Sequence, residues 1–374
     1  MQIISKSKLL EFFDIGARVK KINLARKKFM LQFIMGIILS KNVNFSAVAE
    51  HFPPDVDLAS HIRRMERFFK SYQLDYVHIA VMLVCFLPPG QIHISIDRTN
   101  WKFKGQNINF LTITAYCKGV GVPLFFELLD KKGNSNTQER EELLKKLFRV
   151  IPPRKISSFC ADREFIGAKW YKFLKKNKVP FYIRIKSNHQ ITINRVVFAA
   201  KDLALIGREK HFRNIRIHGM TLHLATNRLT CKKEEERYLL VLTNAKVAHA
   251  LAIYKKRWSI EVFFQSIKNR GFHLENTNLT DLPKLKKLFA LVSIAFACCL
   301  DIGIYKHEYE KPLKKKKHGY KAKSFFRYGL DEIRKALLHL HHKADLAVTI
   351  IDRLFYRLQE NLHWANTLNF ILRL

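Results

Sequence analysis

Three acidic residues in this 374-residue chain are placed where carboxylate chemistry could be done. Asp97 ends the alternating run QIHISID, Asp162 ends ISSFCAD, and Glu261 lies within YKKRWSIEVFFQSIKNRGF. The chain has 31 acids against 67 lysines and arginines, so where each acid falls is informative. The three are separated by 65 (162 − 97) and 99 (261 − 162) positions, and only a fold could bring them together. Gathered at one point, they could hold two divalent ions about 4 Å apart, one activating a water or a 3′-hydroxyl and the other stabilising the leaving oxygen of a phosphodiester. Carboxylate and water oxygens are the ligands that Mg²⁺ prefers. Each acid also has a plainer role open to it. An aspartate at a strand end often forms a turn or caps a helix, and Asp162 could cap the REFIGAKW segment. Glu261 could simply pair with Arg257.

The segment around Glu261 has a second pattern. Tyr254, Arg257, Glu261 and Lys268 stand at offsets 0, 3, 7 and 14. On a continuous helix these fall near 0°, 300°, 340° and 320°, a stripe about 60° wide. One face would hold a single carboxylate among cations. Trp258 falls off this stripe and is expected in the core.

The elements that would position these residues follow from periodicity. Residues 1–88 read as a helical region: RVKKINLARKKFMLQFIMGIILS has helical spacing, and NFSAVAEHF opens on a capping residue and stops at Pro53-Pro54. DLASHIRRMERFFK then carries Arg63, Arg64, Arg67 and Lys70. Two short helices across a tight turn, the second one basic, suit a helix-turn-helix-like DNA reader, with Arg63 and Arg64 as DNA contacts; a helical bundle with a solvated basic face suits the pattern equally.

After Pro88-Pro89-Gly90 the period changes to two. QIHISID, INFLTITAY and VPLFFELLD read as an antiparallel meander, followed by a capped helix (SNTQEREELLKKLFRV), a buried strand (ISSFCAD), a helix (REFIGAKWYKFLKK) and a strand (VPFYIRIK). The order β-β-β-α-β-α-β is that of a mixed α/β, ribonuclease-H-like core, in which carboxylates at strand ends meet on one side of the sheet. Residues 188–244 are strand-rich again and read as an insertion, so the core occupies 89–187 and 245–305. Residues 306–374 comprise the basic stretch KPLKKKKHGYKAKSFFR and a helical tail.

The net charge of +36 and pI near 10.1 exceed what solubility requires and point to a polyanionic partner, nucleic acid ahead of an anionic membrane surface. The six cysteines show neither C-x-x-C nor zinc-like spacing, and suit a reduced, cytoplasmic protein. No signal-peptide pattern opens the chain. LFALVSIAFACCL, apolar for 13 residues before Asp301, is short of a membrane span and is expected to be a buried helix. His339, His341 and His342 lack a metal-like partner set and are expected at the surface.

Three blocks in order resemble the DDE transposases of bacterial insertion sequences, in the family-four branch. They are SIDRTNWKFKGQNINFLTITAYCKGVGVPLFFELLDKKGNSNTQER, FCADREFIGAKW, and Y-x2-R-x3-E-x6-K at Tyr254, Arg257, Glu261 and Lys268. The resemblance runs from about residue 91 to 275. It implies a cut-and-paste recombinase acting on double-stranded DNA at the bacterial nucleoid, with Asp97, Asp162 and Glu261 holding two Mg²⁺ ions (Mn²⁺ able to substitute). Water would cut one strand at each element end, the freed 3′-hydroxyl would attack the opposite strand to give a hairpin, a second water would open it, and the 3′-ends would join target DNA. Tyr254, Arg257 and Lys268 would hold phosphates, with Arg98 and Arg163 beside the aspartates as further DNA contacts. The C-terminal helices, residues 328–374, would pair subunits into a homodimer, and no membrane partner is implied. A ribonuclease-H-like nuclease without strand transfer, or a non-catalytic DNA-binding descendant, would share much of this pattern.

Overall fold

The computed structural model describes residues 10–14, 22–230, 237–317, 319–338 and 353. Four helices come first: α1 (Leu24–Ser40), α2 (Phe45–Ala49), α3 (Leu58–Ser71) and α4 (Tyr76–Val84). Each opens on an Asn or Asp whose side chain accepts a first-turn N–H: Asn23, Asn44, Asp57 and Asp75. Such caps satisfy donors that the helix itself cannot. Phenylalanines knit α1 to α3, with Phe29 on Phe68 at 4.3 Å and Phe33 on Phe69 at 5.2 Å between ring centroids. The tight turn of a helix-turn-helix is not formed. α2 has five residues, and residues 50–57, with the Pro53-Pro54 pair among them, separate it from α3.

The sheet strands are β1 (Ile92–Phe103), β2 (Gln106–Cys117), β3 (Val120–Leu128), β4 (Ile156–Ala161), β5 (Phe181–Arg184), β6 (Gln190–Ile193), β7 (Val196–Ala199), β8 (Lys210–Ile217), β9 (Met220–Arg228) and β10 (Tyr238–Thr243). Their order is β3-β2-β1-β4-β5-β10-β9-β8-β6-β7. β1, β2 and β3 form the antiparallel meander, while β4 runs parallel to β1 and β5 parallel to β4. This is the ribonuclease-H-like arrangement. The strand-rich stretch 188–244 extends that same sheet: β10 pairs antiparallel with β5, and β9, β8, β6 and β7 follow outward.

Helices α5 (Thr137–Phe148) and α6 (Ala168–Lys176) flank β4 in sequence. A capping box between Asn136 and Glu139 starts α5. α6 starts at Ala168, later than the sequence pattern suggests, after Gly167 at φ +145°. Few side chains adopt that conformation, so the glycine sets the start.

The segment around Glu261 is not one helix. It divides into α7 (Ala250–Lys255) and α8 (Trp258–Ile267), with Lys256 and Arg257 at the junction. There Arg257 N–H bonds to Tyr254 O and Ser259 N–H to Lys256 O, tightened i→i+3 contacts that shift the helical phase. Both junction residues reach β1: Lys256 Nζ meets His93 Nε2 at 2.6 Å, and Arg257 meets Asp97. A uniform 100° step could not serve both. The shift also leaves Trp258 58% exposed, contrary to the core position expected of it.

α9 (Leu282–Tyr305) is the central helix, packed against α1, α4, β3 and α10 (Phe325–Leu338). With the turn that follows it (Leu282–Glu310) it is long and apolar enough to cross a membrane by composition, its most apolar 18 residues having a mean hydropathy of 2.2, but 83% of that window lies inside the fold. Phe289 stacks on Phe110 of β2 at 4.3 Å, and Phe296 meets Phe263 of α8 at 4.9 Å. α9 and α10 cross where Gly303 faces Gly329; a Cβ on Gly329 would lie 1.8 Å from the Cys299 carbonyl oxygen.

Candidate active site

Asp97 lies within β1, not at its end, because β1 continues beside β2 to Phe103. It marks the point where β1 parts from β4: Ile96 is paired with Ala161, and Asp97 and Asp162 each come next along two parallel strands. The two aspartates share a local geometry. Asp97 Oδ1 accepts from Arg98 N–H at 2.8 Å, and Asp162 Oδ1 accepts from Arg163 N–H at 2.7 Å. Asp162 does not cap α6, which begins six positions later (168 − 162).

Arg257 joins the third acid to the first. Its Nη1 donates to Asp97 Oδ2 at 2.8 Å and its Nη2 to Glu261 Oε1 at 2.5 Å. The guanidinium side chain is 10% exposed, Asp97 17% and Glu261 28%, so the cluster is largely withdrawn from water. Burial pushes the Asp97 carboxyl up to about 7; Arg257 and the Arg98 N–H pull the other way, and Asp162 and Glu164 add to the rise. Burial works against the charge on Arg257, but Asp97, Asp162 and Glu261 outweigh it and raise its pKa. Arg257 is therefore the cation that bridges Asp97 and Glu261.

The acids supply only oxygen donors, the type a hard divalent cation takes. As the side chains stand, no three His, Cys, Asp or Glu residues among those described form a ligand set. The guanidinium sits between Asp97 and Glu261, and a cation bound by the three acids would have to displace it. The residues thus fit the group in donor type, and in position only with the guanidinium displaced.

The companion residues are placed as follows. Tyr254 is buried 5.8 Å beneath the Arg257 guanidinium; its hydroxyl has no hydrogen-bond partner among the described residues, and burial raises its pKa. Lys268, just past α8, donates to Asn100 O at 3.0 Å, pairs with Glu275 at 2.7 Å and lies over the Trp101 ring. Arg98 forks onto Glu164 at 2.7 and 2.8 Å and also donates to Asn109, Gly133 O and Asn134, engaging all five of its N–H groups. It ties β1 to the loop that carries Asp162. Arg163 is half-exposed in that loop. Arg63 is exposed on α3, whereas Arg64 turns inward to Gln32 at 3.2 Å and over the Phe29 ring.

Two contributors escaped the sequence reading. Glu164 adds a fourth carboxylate beside Asp97, and its signal was the alternation of charge in Asp162-Arg163-Glu164. His93 receives Lys256 on one nitrogen and meets Ser158 Oγ at 2.8 Å on the other. Burial, and then the Lys256 charge, push its pKa down to about 4, so it is neutral. Nothing in the spacing of His93 and Lys256, 163 positions apart, announces that contact.

The family model described as "Transposase DDE domain" matches residues 88–298, more than half of the chain. The chain belongs to this family. Members of the DDE transposase family work with divalent metal ions. Among curated proteins the chain is similar to "Putative transposase y4zB" of Sinorhizobium fredii (strain NBRC 101917 / NGR234), 26% identical over 163 residues. That match takes in 41% of this chain and 46% of the relative, so the chain spans about half the length of the curated protein it matches. Among solved structures it is similar to a piggyBac transposase synaptic complex with hairpin DNA, at a TM-score of 0.47 and 13% identity, covering 93% of this chain and 82% of that one.

Proposed function

We propose that the chain is a DNA transposase that cuts at the ends of an insertion sequence and joins the freed 3′-hydroxyls to target DNA, with Asp97, Asp162 and Glu261 as its catalytic acids. The observation that carries this is their convergence: two aspartates at matching positions on adjacent parallel strands, with Glu261 brought to the first of them by Arg257. The three acids would hold two Mg²⁺ ions, or Mn²⁺, and these supply charge stabilisation for the attacking and leaving oxygens.

The protein's own groups do the rest. β1 and β4 fix the aspartates side by side, and the Arg98–Glu164 fork holds the loop after Asp162 against β1. Arg257, once released by its carboxylates, is within reach of a scissile-strand phosphate, and Lys268 at the end of α8 is the next cation along. Arg163 and Arg63 extend the contact surface, whereas Arg98 and Arg64 serve DNA only through the elements they brace. Tyr254 is a packing partner of Arg257 and not a nucleophile. The basic segment around 311–327 is a further DNA contact: its backbone pairs Lys315 with Lys321, and Tyr320 is 76% exposed. In this reading residues 1–88 engage the element ends and residues 328–374 pair two subunits; most of the tail, with His339, His341 and His342, lies outside the described residues.

The test is cleavage of a labelled duplex bearing the inverted repeats that flank the gene. Cutting that needs Mg²⁺ or Mn²⁺ and disappears in Asp97→Asn, Asp162→Asn and Glu261→Gln supports the assignment; cutting that survives all three removes it. Joining of the labelled 3′-end into plasmid separates a transposase from a nuclease without strand transfer.

A further inference from the structure

A cleft of about 770 Å³ lies between α2–α3 and residues 277–284, which lead into α9. Arg63, Arg67 and Lys70 line it from α3 and Lys284 from the first turn of α9, while Glu66 is the acid among its lining residues. Positions 63, 67 and 70 share one helix face, and α3 buries His61, Met65 and Phe68 in the fold. Among the described residues the side chains of Arg67, Lys70 and Lys284 form no ion pair, and Arg63 donates to Ser60 Oγ at 2.9 Å and stands 4.0 Å from Asp57 on the open surface. Like charges gathered around a concavity repel one another unless an anion lies between them. The cleft is also preformed. The buried Lys287 donates to the Phe69 carbonyl at 2.7 Å, fastening α9 to the end of α3 beside the cleft.

We infer that this cleft seats the sugar-phosphate backbone of duplex DNA, gripped by Arg67 and Lys70 on one wall and Lys284 on the other. The inference rests on the proposed action on DNA and adds a site to it, outside the acidic cluster. From position 63 to 70 α3 rises about 10 Å, close to the axial length of three phosphate-to-phosphate steps on one strand. The cationic face of α3 looks across at the start of α9 and is not free to lie deep in a major groove. The contact is therefore with phosphates and carries no sequence information.

The experiment is fluorescence-anisotropy titration of the 374-residue chain with labelled duplexes across a salt series, without divalent ions so that no strand is cut. One duplex carries the element end and the other a scrambled sequence. Each lost phosphate contact lowers the slope of log K against log salt by about 0.9, or about five-fold in affinity at 0.15 M salt. Arg67→Ala, Lys70→Ala and Lys284→Ala are each expected to show that loss, equally on both duplexes, with the triple variant near the sum. Arg67→Lys and Lys70→Arg should retain the wild-type slope. As a charge-matched control, Lys172, Lys175 and Lys176, exposed on α6, are replaced together by alanine. An unchanged slope in the triple variant, or an equal fall in the control, overturns the cleft while leaving DNA binding intact. A wild-type chain that binds phosphatidylserine vesicles but neither duplex overturns the DNA reading together with the cleft.

Discussion

Replacing Arg257 with leucine removes the one cation shared by Asp97 and Glu261 and leaves both carboxylates facing each other and Asp162. The partners are 17% and 28% exposed, so the loss belongs near the lower end of the range for breaking a buried pair, about 3 kcal/mol. At about 2.1 cal/mol/K of unfolding entropy per residue, that is a fall of about 4 °C in Tm for a chain of this size. The assay is thermal unfolding of the metal-free chain, repeated with Mg²⁺ or Mn²⁺. The variant should unfold earlier without metal and gain more from the ion than wild type does, because no guanidinium competes for the acids. In a double-mutant cycle, Asp97→Asn should recover part of the loss, with a coupling of at least about 1 kcal/mol. If Tm moves by less than 1 °C and the response to metal is unchanged, Arg257 is not the counter-cation of the acids and its role is confined to DNA.

Further outcomes follow from the same geometry. Arg98→Ala should lower Tm by several degrees and reduce cleavage, yet leave the salt dependence of DNA binding unchanged, since its five donors are engaged inside the protein; a lower salt slope would instead make it a phosphate contact. His93, pushed down to about 4 from its ordinary 6.5, is neutral in the fold. A depressed histidine contributes stability that is complete above pH 6.5 and lost as pH falls toward 4. Wild type should therefore lose more Tm over that window than His93→Gln, and parallel curves would contradict a neutral His93 withdrawn from water. Gly329→Ala places a methyl against the Cys299 carbonyl and should destabilise by about 3 kcal/mol or more, read as a lower denaturation midpoint; a neutral effect would mean that α9 and α10 do not cross there.

The catalytic core was legible from its period-two runs, because each strand of the meander and β4 alternates or buries its residues as the sheet demands. Asp162 follows the last residue of β4, where the alternation stops, whereas Glu261 lies inside α8 and stood out only by the charge pattern of its segment. The stripe on the late segment was not legible, since a uniform helical step ignores the two ties from Lys256 and Arg257 to β1. Those ties cross 163 and 160 positions and leave no periodic trace. The plainer role weighed for Glu261, a partner of Arg257, is formed, and at the same time it gathers the acids. In the helical region, the cap at Asn44 marked the start of α2, while Pro53-Pro54 lengthened the connection that a tight turn would have needed.

The most direct measurement is the anomalous scattering of Mn²⁺ in crystals of the chain bound to a nicked element end. A peak contacted by Asp97, Asp162 and Glu261, with the Arg257 guanidinium turned onto a phosphate, is the result expected. Manganese bound elsewhere, with Arg257 still bridging Asp97 and Glu261 while DNA is in place, would contradict it.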